Sequence, residues 1–293
     1  MANQTPIAKW VFANRATFHP TVEQLTWPNR YFPGVYDFST TLVVNDTKVV
    51  GRGVDRDQLI AVEKSFAEAI ERFIGARLKI DSEGFAVGET VGGAHSVEEH
   101  ARNEAFERFY FFRHLRERIC FQPAKDWYDT GSFEYIKDKF CRYNKGFDVP
   151  RICEISTPGN AIARVVVLCR DEIPAFLGLS YARDIDSAIW HAFLEAMPNF
   201  ARYRDFPFTF DAEVAENHYW NCDPDFLREF THYYIGGYCP EPVANPPLRK
   251  VAIDLNKIPE LLGAPITVAK FVVDERKVKA AGRDSTVPHV GQI

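Results

Sequence analysis

TTLVVNDTKVVGRGVDRDQLIAVEKSFAEAIERF, Thr40–Phe73, changes its period partway along. Thr40–Val44 and Lys48–Val50 are β-branched runs on either side of Asn45-Asp46-Thr47, the pattern of a hairpin. Gly51-Arg52-Gly53 is expected to break the second strand. Beyond it, Asp55 or Asp57 can cap a helix. Leu59, Ile60, Phe66, Ile70, Phe73 and Ile74 give that helix an apolar stripe near the 3.6 period, ending at about Gly75. The unit is therefore strand, glycine-bearing turn, helix.

The unit recurs. Gly84–Gly88 reads as a short strand, the loop Thr90–His95 follows, and Ser96-Val97-Glu98-Glu99 is a capping box opening a helix to about Arg118. Ala161–Cys169 is a strand apolar enough to be buried on both faces. Asp184 or Asp186 then caps a third helix to about Phe200, with Pro198 near its end. This order implies an α/β or α+β architecture with an internal repeat. The remainder reads as an irregular N-terminal arm over about 1–38 and mostly irregular chain at 122–150 with one short helix. Short strands follow at Val251–Asp254 and Lys270–Asp274, with a polar tail from about 278 to 293. No linker composition divides the chain, so a single domain over 1–293 is expected.

Composition narrows the functional classes. With 46% apolar and 26% charged residues the chain is an ordinary globular one. A net charge of −5 argues against wrapping a nucleic-acid backbone, which needs a basic stripe. No apolar run reaches 18 residues, so no membrane span is expected. The N-terminus has no secretory pattern. The 6 cysteines lack Cys-x-x-Cys spacing and read as reduced, buried side chains. A cytoplasmic protein is expected.

The carboxylates carry the chemistry. Glu68, Glu71 and Arg72 share one helix face, and Glu104, Glu107 and Arg108 repeat the arrangement between the same Ala and Phe neighbours. The third helix keeps Glu195 but has Pro198-Asn199 in place of the second Glu and the Arg. A solvated Glu–Arg face contributes about 0.2–0.5 kcal/mol per pair and needs no matched apolar flanks. If the first two helices face each other, four carboxylates converge. Like charges about 4 Å apart repel by about 4 kcal/mol at an effective dielectric near 20. A hard divalent cation relieves that repulsion, and Mg²⁺ takes such oxygens while sharing its shell with phosphates. Arg in the remaining position forks onto phosphate. The combination points to a nucleotide, although no phosphate-binding glycine loop is present.

The stretches GRGVDRDQLIAVEKSFAEAIERF (51–73) and GETVGGAHSVEEHARNEAFERF (88–109) together resemble the YcaO-like family, over roughly residues 10 to 275. The resemblance implies a YcaO-like fold, ATP and Mg²⁺ as cofactors, and ATP-driven activation of a peptide backbone amide. The products would be azolines, thioamides or amidines in ribosomally made peptides. By position it implies that Glu68, Glu71, Glu104 and Glu107 hold Mg²⁺. Arg108 would contact phosphate with Arg72 in support, and Glu195 would serve as the acid of the third motif. The family's Ser position falls on Lys64, with Ser65 one step off, and its two Gln positions fall on His191 and Pro198. His191 can be a nucleotide contact or a satisfied core histidine. Arg52 can meet phosphate or solvent, and Lys9 and Arg15 lie on the arm that lines the nucleotide site in the family. The implied partners are a precursor peptide and an E1-like or TfuA-like adaptor, with a homodimer left open. Rival readings are a non-catalytic scaffold of the same fold and an unrelated metal-binding α/β protein. The pair His218 and Cys222 reads as structural rather than nucleophilic.

Overall fold

The structure, a computed structural model, describes residues 6–78, 92–95, 98–99, 101–106, 109, 122–123, 131–155, 162–170, 173–182, 184–205, 247–251, 254–267 and 269–273. The chain divides into two compact units, Met1–Ala105 with Leu248–Val273 and Phe106–Pro247 with Asp274–Ile293.

In the first unit, β1 (Thr21–Leu25), β2 (Tyr36–Val44) and β3 (Thr47–Asp55) form an antiparallel sheet in that order. The hairpin expected around Asn45-Asp46 is present. Both turn residues have positive φ (47° and 64°), which matches the twist of a two-residue hairpin turn and suits Asn and Asp. The strands are longer than expected, because Gly51 and Gly53 lie inside β3 and do not end it. Their reason is packing. Helix α4 (Gln58–Leu78) presses on the sheet so closely that a Cβ on Gly51 would sit 2.2 Å from the Ala69 nitrogen, and one on Gly53 2.0 Å from the Ala61 oxygen. The start of α4 is set by Asp57, whose carboxylate accepts from the amides of Leu59 and Ile60 at 2.7 and 3.2 Å. Leu42, Val44, Phe66, Ile70 and Phe73 form the core between sheet and helix.

The N-terminal arm is a correction. Residues 6–18 form α1 (Pro6–Ala13) and α2 (Arg15–Phe18), and a short helix α3 (Trp27–Tyr31) precedes β2. Ile7, Ala8 and Val11 are buried in the α4 core. The first amides of α1 are capped by Glu63, which lies on α4. Its Oε1 accepts from Ile7 at 3.0 Å and its Oε2 from Ala8 at 3.3 Å. A cap 55 or 56 residues away cannot be found from local pattern.

The same unit holds a second antiparallel sheet in which β10 (Ala269–Val273) lies between β4 (Gly92–His95) and β9 (Leu248–Val251). Strand β9 begins three residues before the expected Val251. Helical residues at 98–99, 101–106 and 109 constitute α5, where the capping box leads. Its Ala101 and Ala105 pack on Ala269 and Phe271. Between β9 and β10, Glu260 accepts from Asn45 Nδ2 at 2.7 Å and Arg77 Nη2 at 2.9 Å, tying the hairpin turn to the end of α4.

The second unit holds β5 (Gln122–Pro123), β6 (Arg151–Ile155), β7 (Ile162–Arg170) and β8 (Ile173–Ala182), antiparallel throughout and in that order. Strand β7 is internal, as its apolar run implies. The stretch expected to be mostly irregular contains a 13-residue helix, α6 (Gly131–Tyr143), whose Phe133, Ile136 and Phe140 are buried at helical spacing. Phe140 packs on Phe193 and Phe200 of α7 (Ile185–Asp205). Helix α7 continues past Pro198, which lies inside it.

The internal repeat is structural. A Cβ on Gly178 of β8 would lie 1.7 Å from the Ala192 oxygen and 2.7 Å from the Ala196 nitrogen. On Gly51 it would lie 2.3 Å from the Ser65 oxygen and 2.2 Å from the Ala69 nitrogen. One glycine thus meets two helix positions four apart in each half, so Glu195 occupies on α7 the position of Glu68 on α4.

Helix α7 is capped by Asp184, whose Oδ1 accepts from the Ser187 amide at 2.7 Å. That bond holds the Asp184 carboxyl below its usual range. Because the folded-state pKa is depressed, the stabilisation is present above the ordinary value of 3.8 and is lost as pH falls through the folded value. Asp184→Ala is expected to cost about 1 kcal/mol at neutral pH, and the difference should shrink in acid; urea melts at pH 7 and pH 3 check both. Among the described residues no helix is long and apolar enough to cross a membrane.

Candidate functional site

The site begins at β3. Among the described residues β3 pairs only with β2, so within them it is an edge strand. The backbone N–H of Arg52 donates to Glu68 Oε2 at 2.5 Å. The other oxygen, Oε1, accepts from Arg72 Nη2 at 2.6 Å, one turn along α4. Glu68 is about one-third exposed (32%) and Arg72 more than half (58%), so the carboxylate faces an accessible surface while being held on two sides.

The Arg52 side chain goes elsewhere. Its Nε donates to Asp37 Oδ1 at 2.9 Å and Oδ2 at 3.0 Å, and its Nη2 also donates to Oδ2. Asp37 has no exposed side-chain surface. Burial pushes its carboxyl above the ordinary range, and the bonds and charge of Arg52 offset that only in part. The guanidinium expected to meet phosphate or solvent is instead forked onto a buried acid. What Arg52 gives Glu68 is its main-chain N–H.

The remaining motif residues fall into four groups. Glu71 on α4 and Glu104 on α5 are both partly buried. Glu107 and Arg108 lie outside the described residues, as do His218 and Cys222. Among the described residues no group of three or more His, Cys, Asp or Glu side chains is gathered closely enough to hold a metal ion. Lys9 on α1 and Arg15 on α2 are exposed. On α7, His191 and Glu195 come together, with Nε2 and Oε1 3.4 Å apart and both side chains about half exposed. Ser180 of β8 stands behind them, its Oγ 3.5 Å from His191 Nδ1. His191 is thus at the surface and is not a core histidine.

The neighbouring motif positions are also decided. Ser65 is buried, bonded to Thr40 Oγ1 at 2.7 Å and to the Val62 carbonyl at 2.7 Å. It fastens helix to sheet. Lys64 points outward and pairs with Asp55 at 2.6 Å. Asp37 was not anticipated from the sequence, yet a signal existed. The two-residue turn fixes the register that sets Arg52 opposite Ser39, which leaves Asp37 on the same face one diagonal step away.

Hard carboxylate oxygens beside a guanidinium are donors suited to a cation carrying phosphates. Glu68, with Glu71 three residues on and Arg72 next to it, fits that description.

Antiparallel hairpins, each backed by a helix bearing a surface glutamate, define a mixed α/β fold. Its relatives are specific: the chain has a YcaO-like fold. It superposes on a YcaO protein from Methanopyrus kandleri, solved bound with AMPPCP and Mg²⁺, with a TM-score of 0.54 and 10% identity. The match covers 96% of this chain and 94% of that one. A heterocyclase solved in complex with substrate and cofactor superposes with a TM-score of 0.57 and 12% identity over 93% of this chain. The match takes in 52% of the heterocyclase, so the chain spans about half its length. No family sequence model and no curated protein sequence matches the chain.

Proposed function

We propose that the chain is an ATP- and Mg²⁺-dependent enzyme that activates a backbone amide of a peptide. One observation carries the reading: on a fold shared end to end with a protein that binds AMPPCP and Mg²⁺, Glu68 is held in place beside Glu71 and Arg72. Glu68, Glu71, Glu104 and Glu107 are the proposed Mg²⁺ ligands. Arg72 and Arg108 are the proposed phosphate contacts, with Lys9 and Arg15 adding positive charge. His191 and Glu195 offer an imidazole and a carboxylate to the nucleotide, and Arg108 and Glu195 are the proposed catalytic groups. When bound, Mg²⁺-ATP supplies the phosphoryl group that converts the amide oxygen into a phosphate leaving group.

The chain's own task is positioning and charge stabilisation. Arg72 and Arg108 would stabilise charge on the transferring group, and the glutamates would fix the cation. The nucleophile that adds to the amide carbon comes from the substrate side, as a Cys, Ser or Thr side chain, sulfide or an amine. Azoline, thioamide and amidine products follow from that choice. The proposed setting is the cytoplasm, with a precursor peptide presented by an E1-like or TfuA-like adaptor.

The test is Mg²⁺-ATP binding and hydrolysis by the purified protein, with and without peptide and adaptor. Glu104→Gln is expected to weaken binding by about tenfold or more. A second reading is favoured by Pro198 and Asn199, which stand where α4 has Glu71 and Arg72: a scaffold of the same fold without turnover. Absence of both binding and peptide-stimulated hydrolysis in the wild type would establish that reading instead.

A further inference from the structure

We infer that Asp37 is a positioning residue for Glu68, acting through Arg52: the fork of Arg52 onto buried Asp37 fixes the stretch of β3 whose main-chain N–H orients the Glu68 carboxylate. This rests on the proposed role of Glu68 in binding a Mg²⁺-nucleotide.

Three observations combine. Asp37 has no exposed side-chain surface, and Arg52 meets it through both Nε and Nη2, a bidentate pairing that restricts the guanidinium in plane and direction. The pair is diagonal across β2 and β3, with Arg52 opposite Ser39 and Asp37 opposite Val54. It therefore bridges two strands rather than decorating one. Finally, the residue so fixed is the one whose amide reaches Glu68 at 2.5 Å on the side of β3 away from β2. Among the described residues no strand pairs with β3 on that side to hold its donors in line. Gly51 and Gly53 flank Arg52 and have no side chains with which to anchor the strand on either side of it. The Arg52 side chain is therefore what ties this stretch of β3 to a side chain of β2, next to the amide that Glu68 accepts from. The resulting relay runs from Asp37 through Arg52 to Glu68, and Arg72 closes the other side of the carboxylate.

A purely structural ion pair would affect melting and nothing else. A positioning pair also affects the Arg52 amide and the ligand. The test uses the full chain. Hydrogen exchange at the Arg52 amide is followed in wild type and Asp37→Asn without nucleotide, and Mg²⁺ with a non-hydrolysable ATP analogue is then titrated into each. Expected are an Arg52 amide that exchanges about tenfold faster in Asp37→Asn and a dissociation constant for the Mg²⁺-analogue raised about tenfold. Turnover, where measured, should show the loss mainly in KM. Because Asp37→Asn leaves the partly buried Arg52 guanidinium without its counter-ion, Asp37→Leu/Arg52→Met is made beside it; removing both charges of a desolvated pair is often neutral for stability. That double variant should melt near the wild type yet show the same faster exchange and weaker binding. Unchanged Arg52 exchange in a folded variant overturns the inference whatever the nucleotide does. Unchanged analogue affinity in a folded variant overturns it as well. A wild type that binds no analogue removes the functional reading, and the exchange comparison still decides whether Asp37 controls the edge amide.

Discussion

Gly178→Ala is expected to destabilise the protein by about 3 kcal/mol or more and to lower its melting temperature sharply. The added methyl would lie 1.7 Å from the Ala192 oxygen and 2.7 Å from the Ala196 nitrogen, both main-chain atoms of α7. No side chain can rotate aside to make room, so α7 must lift from β8. Lifting it would disturb a helix whose Ala188, Ile189, Ala192, Phe193 and Ala196 are buried. Overpacking of a core costs about 1–3 kcal/mol when neighbours can relax, and a backbone-to-backbone clash belongs at or above the top of that range. Against a total stability of about 5–15 kcal/mol this is a large fraction. Gly131→Ala is the control, since nothing lies within 4 Å of its added methyl. Thermal melts of the two variants should differ widely, and equal melting temperatures would show that the helix–sheet contact is slack.

Glu68→Gln is expected to abolish measurable Mg²⁺-nucleotide binding while the protein remains folded. The amide oxygen of Gln can still accept from the Arg52 N–H, so local geometry survives. What disappears is the negative charge, and with it the partner of Arg72 and the attraction for a cation. The i,i+4 pair with Arg72 is exposed enough that its loss affects stability by only about 0.3–0.5 kcal/mol. Loss of an outer-sphere partner typically lowers metal affinity about 10–100-fold, and loss of a ligand itself should exceed that. Calorimetric titration with parallel melts separates the two effects. Retained affinity would remove Glu68 from the proposed cation site.

Much of the fold was legible because its signals are local. The hairpin follows from β-branched runs around Asn45-Asp46, and α4 from the Phe66, Ile70, Phe73 and Ile74 stripe. Strand β7 follows from an apolar run that only Arg164 interrupts. Where reading failed, the cause was non-local. Gly51 and Gly53 look like breakers in one dimension, whereas their function is to let another element approach. Pro6–Ala13 has Pro6 at its first position, a start signal in itself, but the carboxylate that caps its amides is Glu63 on α4. At the site, spacing was sufficient to put Glu68, Glu71 and Arg72 on one face. It could not show that Arg52 turns its guanidinium away, because that depends on a buried acid on the neighbouring strand.

The long-range cap on α1 has a practical consequence for handling the protein. Trimming the chain back to Lys9 would strip a partly buried carboxylate of two donors and uncover the α4 surface under Ile7. Such a shortened chain should bind apolar dyes and aggregate on storage, and that behaviour would report a damaged core rather than an altered activity.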